Sequence, residues 1–552
     1  MVDLKVPIGI DASHWRTIST QRTVLVVVHN ITTLNRLLDV VGLFESDFRI
    51  QLVMTSSLTD PFSRILPDLI TQLGHVFVSW EQAVQLEFDL IIAASHHGNL
   101  PDLHGRLLLM SHGIGYTKYS PGSRGPGSPG ARSVFGLSRQ WLLYDGAPIA
   151  SALVFSHPEQ VERLAAEVPE ALPSAVIAGD PCFDRMLASL DDREVYRAAL
   201  GVSPDRGLVV VTSTWSTNSL LGSWPRLLRQ LLAELPVDRF QVAAIVHPNI
   251  WQGHGAAQIK AWLADCVRAG LTLIPPLEGW RAALIAADLV IGDFGAVCCY
   301  GAAVGRPVLL AAFPEDQVVP GTAVHRLGRL APRLRPRAPL LPQVETAIRG
   351  FDAGAYAEVT ELTSAVPGAS ARLLREVCYR LLELPEPAGE PVLARLPVDG
   401  LTVRPRIAAA YVACEVDPVR RLARVERYAA DVRSAAGRPP VSGPTHLVVH
   451  RGHPGRQLRD GADVWYAEAG EPDAAPGRYF AVVHGSACRV RDATGATVDL
   501  VLPEDAPADP VLLASVAYAW TAAGPGLASL GPEVTLEVAG RRYPVSVRVA
   551  QV

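Results

Sequence analysis

Along the first two-thirds of the chain, short apolar runs alternate with amphipathic segments. Val24–Val28, Arg49–Met54, His75–Val78, Asp89–Ala94 and Arg106–Met110 are β-branched or leucine-rich runs of strand length. Between the first two, Asn30–Leu43 places Leu34, Leu37, Leu38 and Val41 on one helical face, with Asn30 or Thr32 as its cap. A second series starts near Ser151, with strands expected at Ala152–Phe155, Ala175–Ala178, Gly207–Thr212, Gln241–Val246, Leu271–Ile274, Asp288–Ile291 and Pro307–Leu310. Near-continuous apolar strands separated by helices predict parallel sheets covered on both faces.

The pattern divides the chain. Residues 1–150 and 151–384 read as two doubly wound, Rossmann-like α/β domains, and 385–400 as a Pro-rich linker ("LPEPAGEPVLARLPVDG", from Leu384). Residues 401–552 read as a smaller β-rich domain: a helix over Asp417–Ser434, a second breaker "AAGRPPVSGPT", and a closing hairpin, "EVTLEV-AGR-RYPVSVRV". This tail carries no chemical motif and reads as a structural or partner-binding appendage.

Composition narrows the class. Of 552 residues, 49% are hydrophobic and 19% charged, which is globular. A net charge of −5 gives no broad attraction to nucleic acid. Arg326, Arg329, Arg333, Arg335 and Arg337 are a local exception; they could hold an anionic acceptor or membrane surface, though such a run is more usually a solvated face. The seven cysteines lack zinc spacing and read as free thiols in a reducing cytoplasm. The beginning "MVDLKVPIGIDASHW" is too polar for a secretory leader. Asp288, Asp293 and Arg306 interrupt the apolar stretch Ala282–Phe313, so it reads as core rather than membrane span.

Four stretches follow predicted strands, where a doubly wound sheet places its ligand: "MSHGIGYTKY" (110–119), "AGDPCFDRM" (178–186), "IVHPNIW" (245–251) and "ADLVIGDFGAVCCYG" (287–301). A neutral histidine suits proton removal from a hydroxyl, so His112 is the candidate base, with Gly113 allowing close approach of substrate. A loop histidine that only satisfies a hydrogen bond would read alike. His247, before the turn-fixing Pro248, could donate to a diphosphate oxygen or simply hold the turn. The segment from Asp293 through Phe294, Gly295 and Ala296 leads into a helix whose first N–H groups suit an anion; Asp293 would touch the transferred group or cap that helix. Ser213, Thr214 and Trp215 offer hydroxyls and an aromatic ring at a strand end. On the N-terminal side, His29, Asn30, His97 and Lys118 are acceptor-site candidates. The pair His96-His97 lacks a third ligand at suitable spacing, so no metal site is assigned.

In order and context these motifs resemble the CDP-glycerol glycerophosphotransferase family, the teichoic-acid polymerases and primases. Its members show His-Gly-Thr-Pro, Gly-Tyr-Pro-Arg-Asn-Asp, Pro-Thr-Trp, His-Pro and Asp-Tyr-Ser-Ser, each after a strand. The counterparts are His112-Gly113, Gly179 to Asp184, Ser213-Thr214-Trp215, His247-Pro248 and Asp293 to Ala296, over roughly Val24 to Leu384. The resemblance implies a GT-B fold and transfer from a nucleotide-diphosphate donor, in the family a cytidine-diphosphate one (CDP-glycerol-like). It also implies His112 as base, His247 at the donor diphosphate, and Gly179 and Asp184 on the donor side. No cofactor is implied; magnesium is admissible but not required. A hydroxyl acceptor, anionic or lipid-linked, and contact with the inner face of the membrane follow by the same analogy. Gly295 and Ala296 replace the family's two serines, so glycerol phosphate is not carried over as the transferred group.

Two other readings fit the residues. A nucleotide-sugar epimerase or hydrolase on the same fold needs carboxylates in the cleft, for which Asp180, Asp184 and Glu278 are available. A non-catalytic nucleotide- or partner-binding protein would explain the absent serines.

Overall fold

The computed structural model describes residues 5–9, 12–57, 60–120, 132–403, 406–433, 444–471, 479–524 and 526–549. Residues 435–443 of the second breaker lie outside them, as do the opening residues 1–4.

Six parallel strands form the first sheet: β1 (Arg22–Val27), β2 (Ile50–Thr55), β3 (Glu87–Ala93), β4 (His104–Met110), β5 (Ala152–Phe155) and β6 (Ala175–Ile177). Their order is β2-β1-β3-β4-β5-β6. Leu25 pairs with Val53 on one side and Ile91 on the other. The apolar runs are therefore covered on both faces, which is why they lack a polar alternation. The helix after β1, α1 (Ile31–Val41), is held by a reciprocal capping box between Asn30 and Thr33.

The second sheet holds β7 (Gly207–Ser213), β8 (Phe240–Val246), β9 (Thr272–Ile274), β10 (Leu289–Gly292) and β11 (Val308–Leu310), ordered β9-β8-β7-β10-β11 and also all parallel. The expected strands therefore form, except that His75–Val78 makes only an isolated parallel bridge from Phe77 to Met54, and the division after residue 150 shifts. β5 and β6 pair with β4 in the first sheet, so the seam between the α/β units follows Ile177. The chain also returns. Helix α5 (Ser370–Leu382) packs Leu374, Val377, Cys378 and Leu382 into the first sheet's core, beside Val24 and Leu108. Helices α2 (Pro181–Ala188), α3 (Pro248–His254) and α4 (Ala296–Ala303) each begin at the carboxyl edge of a sheet.

The Pro-rich segment after α5 lies along the protein rather than hanging free. The Leu396 N–H donates to Ser189 Oγ, and its carbonyl accepts from the Tyr196 hydroxyl.

The C-terminal part is a closed barrel of nine strands. They are β12 (Ala409–Asp417), β13 (Leu422–Ala429), β14 (Thr445–His450), β15 (Val464–Glu468), β16 (Tyr479–His484), β17 (Ala487–Arg491), β18 (Thr497–Val501), β19 (Glu533–Val538) and β20 (Arg541–Val549). The expected closing hairpin is β19–β20. Helix α6 (Leu512–Ala522) is apolar on nearly all sides and packs Leu512, Leu513, Val516 and Trp520 into the barrel's core. The helix expected over Asp417–Ser434 is instead the turn and strand β13. In β13, Val425 points inward while Arg424 faces Glu537 across the β13–β19 pair. Cross-strand pairing overrode a leucine spacing that happened to fit a helix.

All seven cysteines are unpaired. Among the described residues no helix is long and apolar enough to cross a membrane.

Candidate active site

Because each sheet is parallel, its strand ends share one edge. At the first edge β1 ends near His29, β3 near His96 and His97, and β4 at Ser111-His112-Gly113. At the second, β7 ends at Ser213-Thr214, β8 at His247 and β10 at Asp293. The edges face each other. A Cβ built on Gly113 would lie 3.6 Å from the Ala296 side chain, so the His-Gly loop abuts the start of α4. Lys118, from the first unit, lays its ammonium 4.9 Å from the Phe294 ring centroid of the second.

The two central histidines present opposite nitrogens. His112 Nδ1 lies 3.1 Å from the Ala94 carbonyl. A carbonyl only accepts, so the neutral ring carries its proton on Nδ1 and leaves Nε2 with a free lone pair. His247 Nδ1 lies 3.1 Å from the Asn249 N–H, which only donates, so the neutral ring keeps its proton on Nε2. Both rings are held neutral. Desolvation lowers the pKa of His112 to about 4; its bond to Ala94 opposes this, and the charges of Arg36 and Lys118 assist it. By area His112 is exposed, with Arg36 and Lys118 near enough for their charges to act on its ring. Desolvation takes half-buried His247 down to about 3, helped by Lys118 and His112. Burial also lowers the Lys118 pKa, against the pull of Asp293.

Helix α4 opens at Gly295 with no side-chain cap, so its first N–H groups are available to an anion. Pro248 occupies the first turn of α3, with the His247 ring as cap. Trp215 is half exposed and meets Phe62 of the first unit edge-on, ring centroids 5.9 Å apart.

Several candidates have other roles. Asp293 is buried: Oδ2 accepts the Thr214 and Leu220 N–H groups at 2.9 Å, and Oδ1 accepts that of Gly295 at 3.0 Å. It ties three cleft segments together through these bonds. Asp184 is buried and caps the start of α5 through the Gly368 and Ser370 N–H groups. Gly179 has φ +75° and packs against Ser364 and Val366, a requirement of the turn. The Ser213 hydroxyl donates to the Thr214 carbonyl and accepts from the Leu221 N–H. Phe294 is buried beneath Lys118.

On the acceptor side, His29 is fully buried with Nε2 on the His97 carbonyl, and burial lowers its pKa to about 4. Asn30 spends its side chain on the capping box and on Asp60. The His97 ring meets Phe135 and Trp141 at centroid distances of 5.5 and 5.1 Å. Lys118 lies against the donor-side loop rather than among the acceptor candidates. Among the described residues no group of His, Cys, Asp or Glu side chains is arranged to hold a metal ion.

Sequence reasoning missed what holds the walls together. Arg36 of α1 donates to Asp180 Oδ1 at 2.8 Å and Oδ2 at 2.9 Å, to the Gly113 carbonyl at 3.2 Å and to the Tyr300 hydroxyl at 2.9 Å. Further along α1, Asp39 accepts from Arg281 of the second unit and from Arg185 of α2. The signal was present: Asn35, Arg36 and Asp39 interrupt α1 as a polar stripe at helical spacing. Of the three carboxylates that an epimerase or hydrolase reading has available, Asp180 is held by Arg36 and Asp184 by backbone N–H groups, while Glu278 lies 3.4 Å from Arg281 and is partly exposed. In the arginine run, Arg326 and Arg333 lie 3.4 and 3.6 Å from Glu358 and Glu315.

No protein-family model and no curated protein matches this chain. Solved structures are similar to it. One of the wall teichoic acid polymerase TagF with CDPG is 10% identical, covering 66% of this chain and 90% of that one at a TM-score of 0.47. Anabaena HepE in complex with UDP and glucose is 14% identical, over 66% of this chain and 100% of that one, TM-score 0.38. S. aureus MnaA with UDP is also 14% identical, over 67% and 100%, TM-score 0.41.

Proposed function

We propose that the protein is a transferase that moves a glycosyl or polyol-phosphate group from a nucleotide-diphosphate donor to a hydroxyl acceptor. The observation that carries this reading is the complementary protonation of His112 and His247. One wall offers a lone pair for an acceptor proton, and the other offers an N–H for an anion.

The donor diphosphate lies between the start of α4, His247 Nε2–H and the Lys118 ammonium. These groups neutralise charge on the leaving phosphate without a metal. The acceptor enters beside the His-Gly loop. His112 Nε2 takes its proton as the acceptor oxygen bonds to the transferred carbon or phosphorus. The bond to the nucleotide phosphate breaks, and its electron pair leaves with the nucleotide. Gly113 lets the acceptor approach the backbone closely.

The test is thermal stabilisation of the full chain by CDP-, UDP-, GDP- and dTDP-linked donors, with and without magnesium. A ligand at a hundredfold excess over its Kd adds about 2.7 kcal/mol. Stabilisation by one donor class, lost in His247→Ala and kept in His112→Ala, is the expected result. No stabilisation by any donor overturns the reading.

A further inference from the structure

A second cavity lies far from the cleft, where the second α/β unit meets the barrel. Its volume is about 360 Å³, within the range of small-molecule sites. Its floor is formed by Asp205 and Arg206, just before β7, whereas the cleft lies past the other end of that strand. Seven residues of β-strand separate the two by roughly 20 Å.

The wall is ionic but not balanced. Arg427 donates to Asp238 at 2.6 and 3.0 Å and to Asp509 at 2.7 Å. Arg406 donates to Asp509 at 2.8 Å and to Glu468, and Arg541 pairs with Asp205. Each of the three carboxylates lining the cavity is thus taken by an arginine. The fourth arginine, Arg206, has no ion-pair or hydrogen-bond partner for its guanidinium among the described residues, and its Nε is fully buried. The rest of its loop is fixed, because Arg197 holds the Arg206 and Ser203 carbonyls at 2.7 and 3.3 Å. Burial disfavours its charge, as does neighbouring Arg427, while the charges of Asp238 and Asp509 favour it without bonding to it. Val237, Ile407, Leu512 and Val538 also line the cavity and give it apolar surface.

We infer that this cavity binds a small amphipathic anion, a carboxylate or phosphate monoester, with Arg206 gripping the anionic head and the apolar surface receiving its body. Contacts with both units would make the ligand a clamp between the α/β part and the barrel. This inference does not depend on the chemistry assigned to the cleft.

Isothermal titration of the full chain with phenyl phosphate and with benzoate tests it, and tells a phosphate head from a carboxylate head. The expected result is one site for at least one probe, weakened at least tenfold in Arg206→Gln, and also in Ala508→Trp, which fills the cavity and keeps the charge. Binding should be unchanged in His247→Ala. Melting curves of each variant report folding, and Ala508→Trp keeps the test open if Arg206→Gln does not fold. Three results overturn the inference: neither probe binds, binding survives both cavity variants, or binding disappears in His247→Ala, which would place the anion in the cleft.

Discussion

Arg36 and Asp180 meet through two hydrogen bonds, of 2.8 and 2.9 Å, with side chains only 4% and 2% exposed. The same guanidinium holds the carbonyl of Gly113, so this pair sets the position of the loop that presents His112. Tyr300 of α4 donates to Asp180 at 2.7 Å, which carries the linkage into the opposite wall.

Removing one partner should therefore be costly. Asp180→Ala leaves a buried, unpaired guanidinium and is expected to lose about 3–5 kcal/mol in urea denaturation. The double variant Arg36→Met, Asp180→Leu replaces both charges by apolar groups and should recover much of that loss. A single variant within about 1 kcal/mol of the wild type would show that the pair carries little stability.

Catalysis should respond to His112 differently from binding. Once a donor is identified, His112→Ala should lower kcat at least ~100-fold while leaving nucleotide affinity unchanged. The base works only when unprotonated, so activity falls as pH drops through its pKa. With that value near 4 in the free protein, the acid limb of kcat/KM should lie well below 6.5. The limb of kcat should lie higher, because bound diphosphate favours the imidazolium. An acid limb of kcat/KM at 6.5 or above would argue against His112 as the base.

Stability should also fall on acidification. The native pKa values of buried His29 and His96 are about 4 and about 3, against 6.5 for an unperturbed histidine. Between these values the unfolded chain binds protons that the native state does not, so stability is present above 6.5 and drains away below it. Each ring contributes about 1.4 kcal/mol per pH unit in that window. Asp184 and Asp293, raised by burial, act in the opposite sense but only above their usual value of 3.8. Urea midpoints at pH 6.5 and 5.5 measure the slope, and His96→Gln should flatten it. An unchanged slope would mean that His96 is protonated in the native state.

The strands of both sheets were readable because parallel strands buried on two faces leave uninterrupted apolar runs. Their ends marked the cleft, since glycines and histidines follow the runs directly. The assignments that changed turned on longer-range partners. Asp293 and Asp184 look like catalytic carboxylates in sequence, yet each is used by backbone N–H groups, some of them 73 to 186 residues away. β5 and β6 continue the alternation without a break, so nothing local shows that they join the first sheet. β13 carries leucine and valine at spacings that fit either period, and only its pairing with β12 and β19 decides for a strand. Arg36 was hidden in plain view, because a single arginine on an amphipathic helix usually faces water.

Lys118 joins these lines of argument. It comes from the first unit, lies over Phe294 of the second, and depresses the pKa of both His112 and His247 through its charge. Lys118→Met keeps most of the stem and removes the charge. Two effects should follow. Nucleotide-diphosphate affinity should fall about tenfold, the loss of one partly desolvated cation beside the phosphates. The histidine pKa values should rise, since a positive neighbour no longer opposes the imidazolium, and NMR titration of the ring protons reads that shift directly. A rise in both pKa values without loss of affinity would keep Lys118 in the cleft but move it away from the donor. Loss of affinity with no movement of either pKa would mean that its ammonium lies too far from the two rings to act on them, and the wall-to-wall arrangement would need revision.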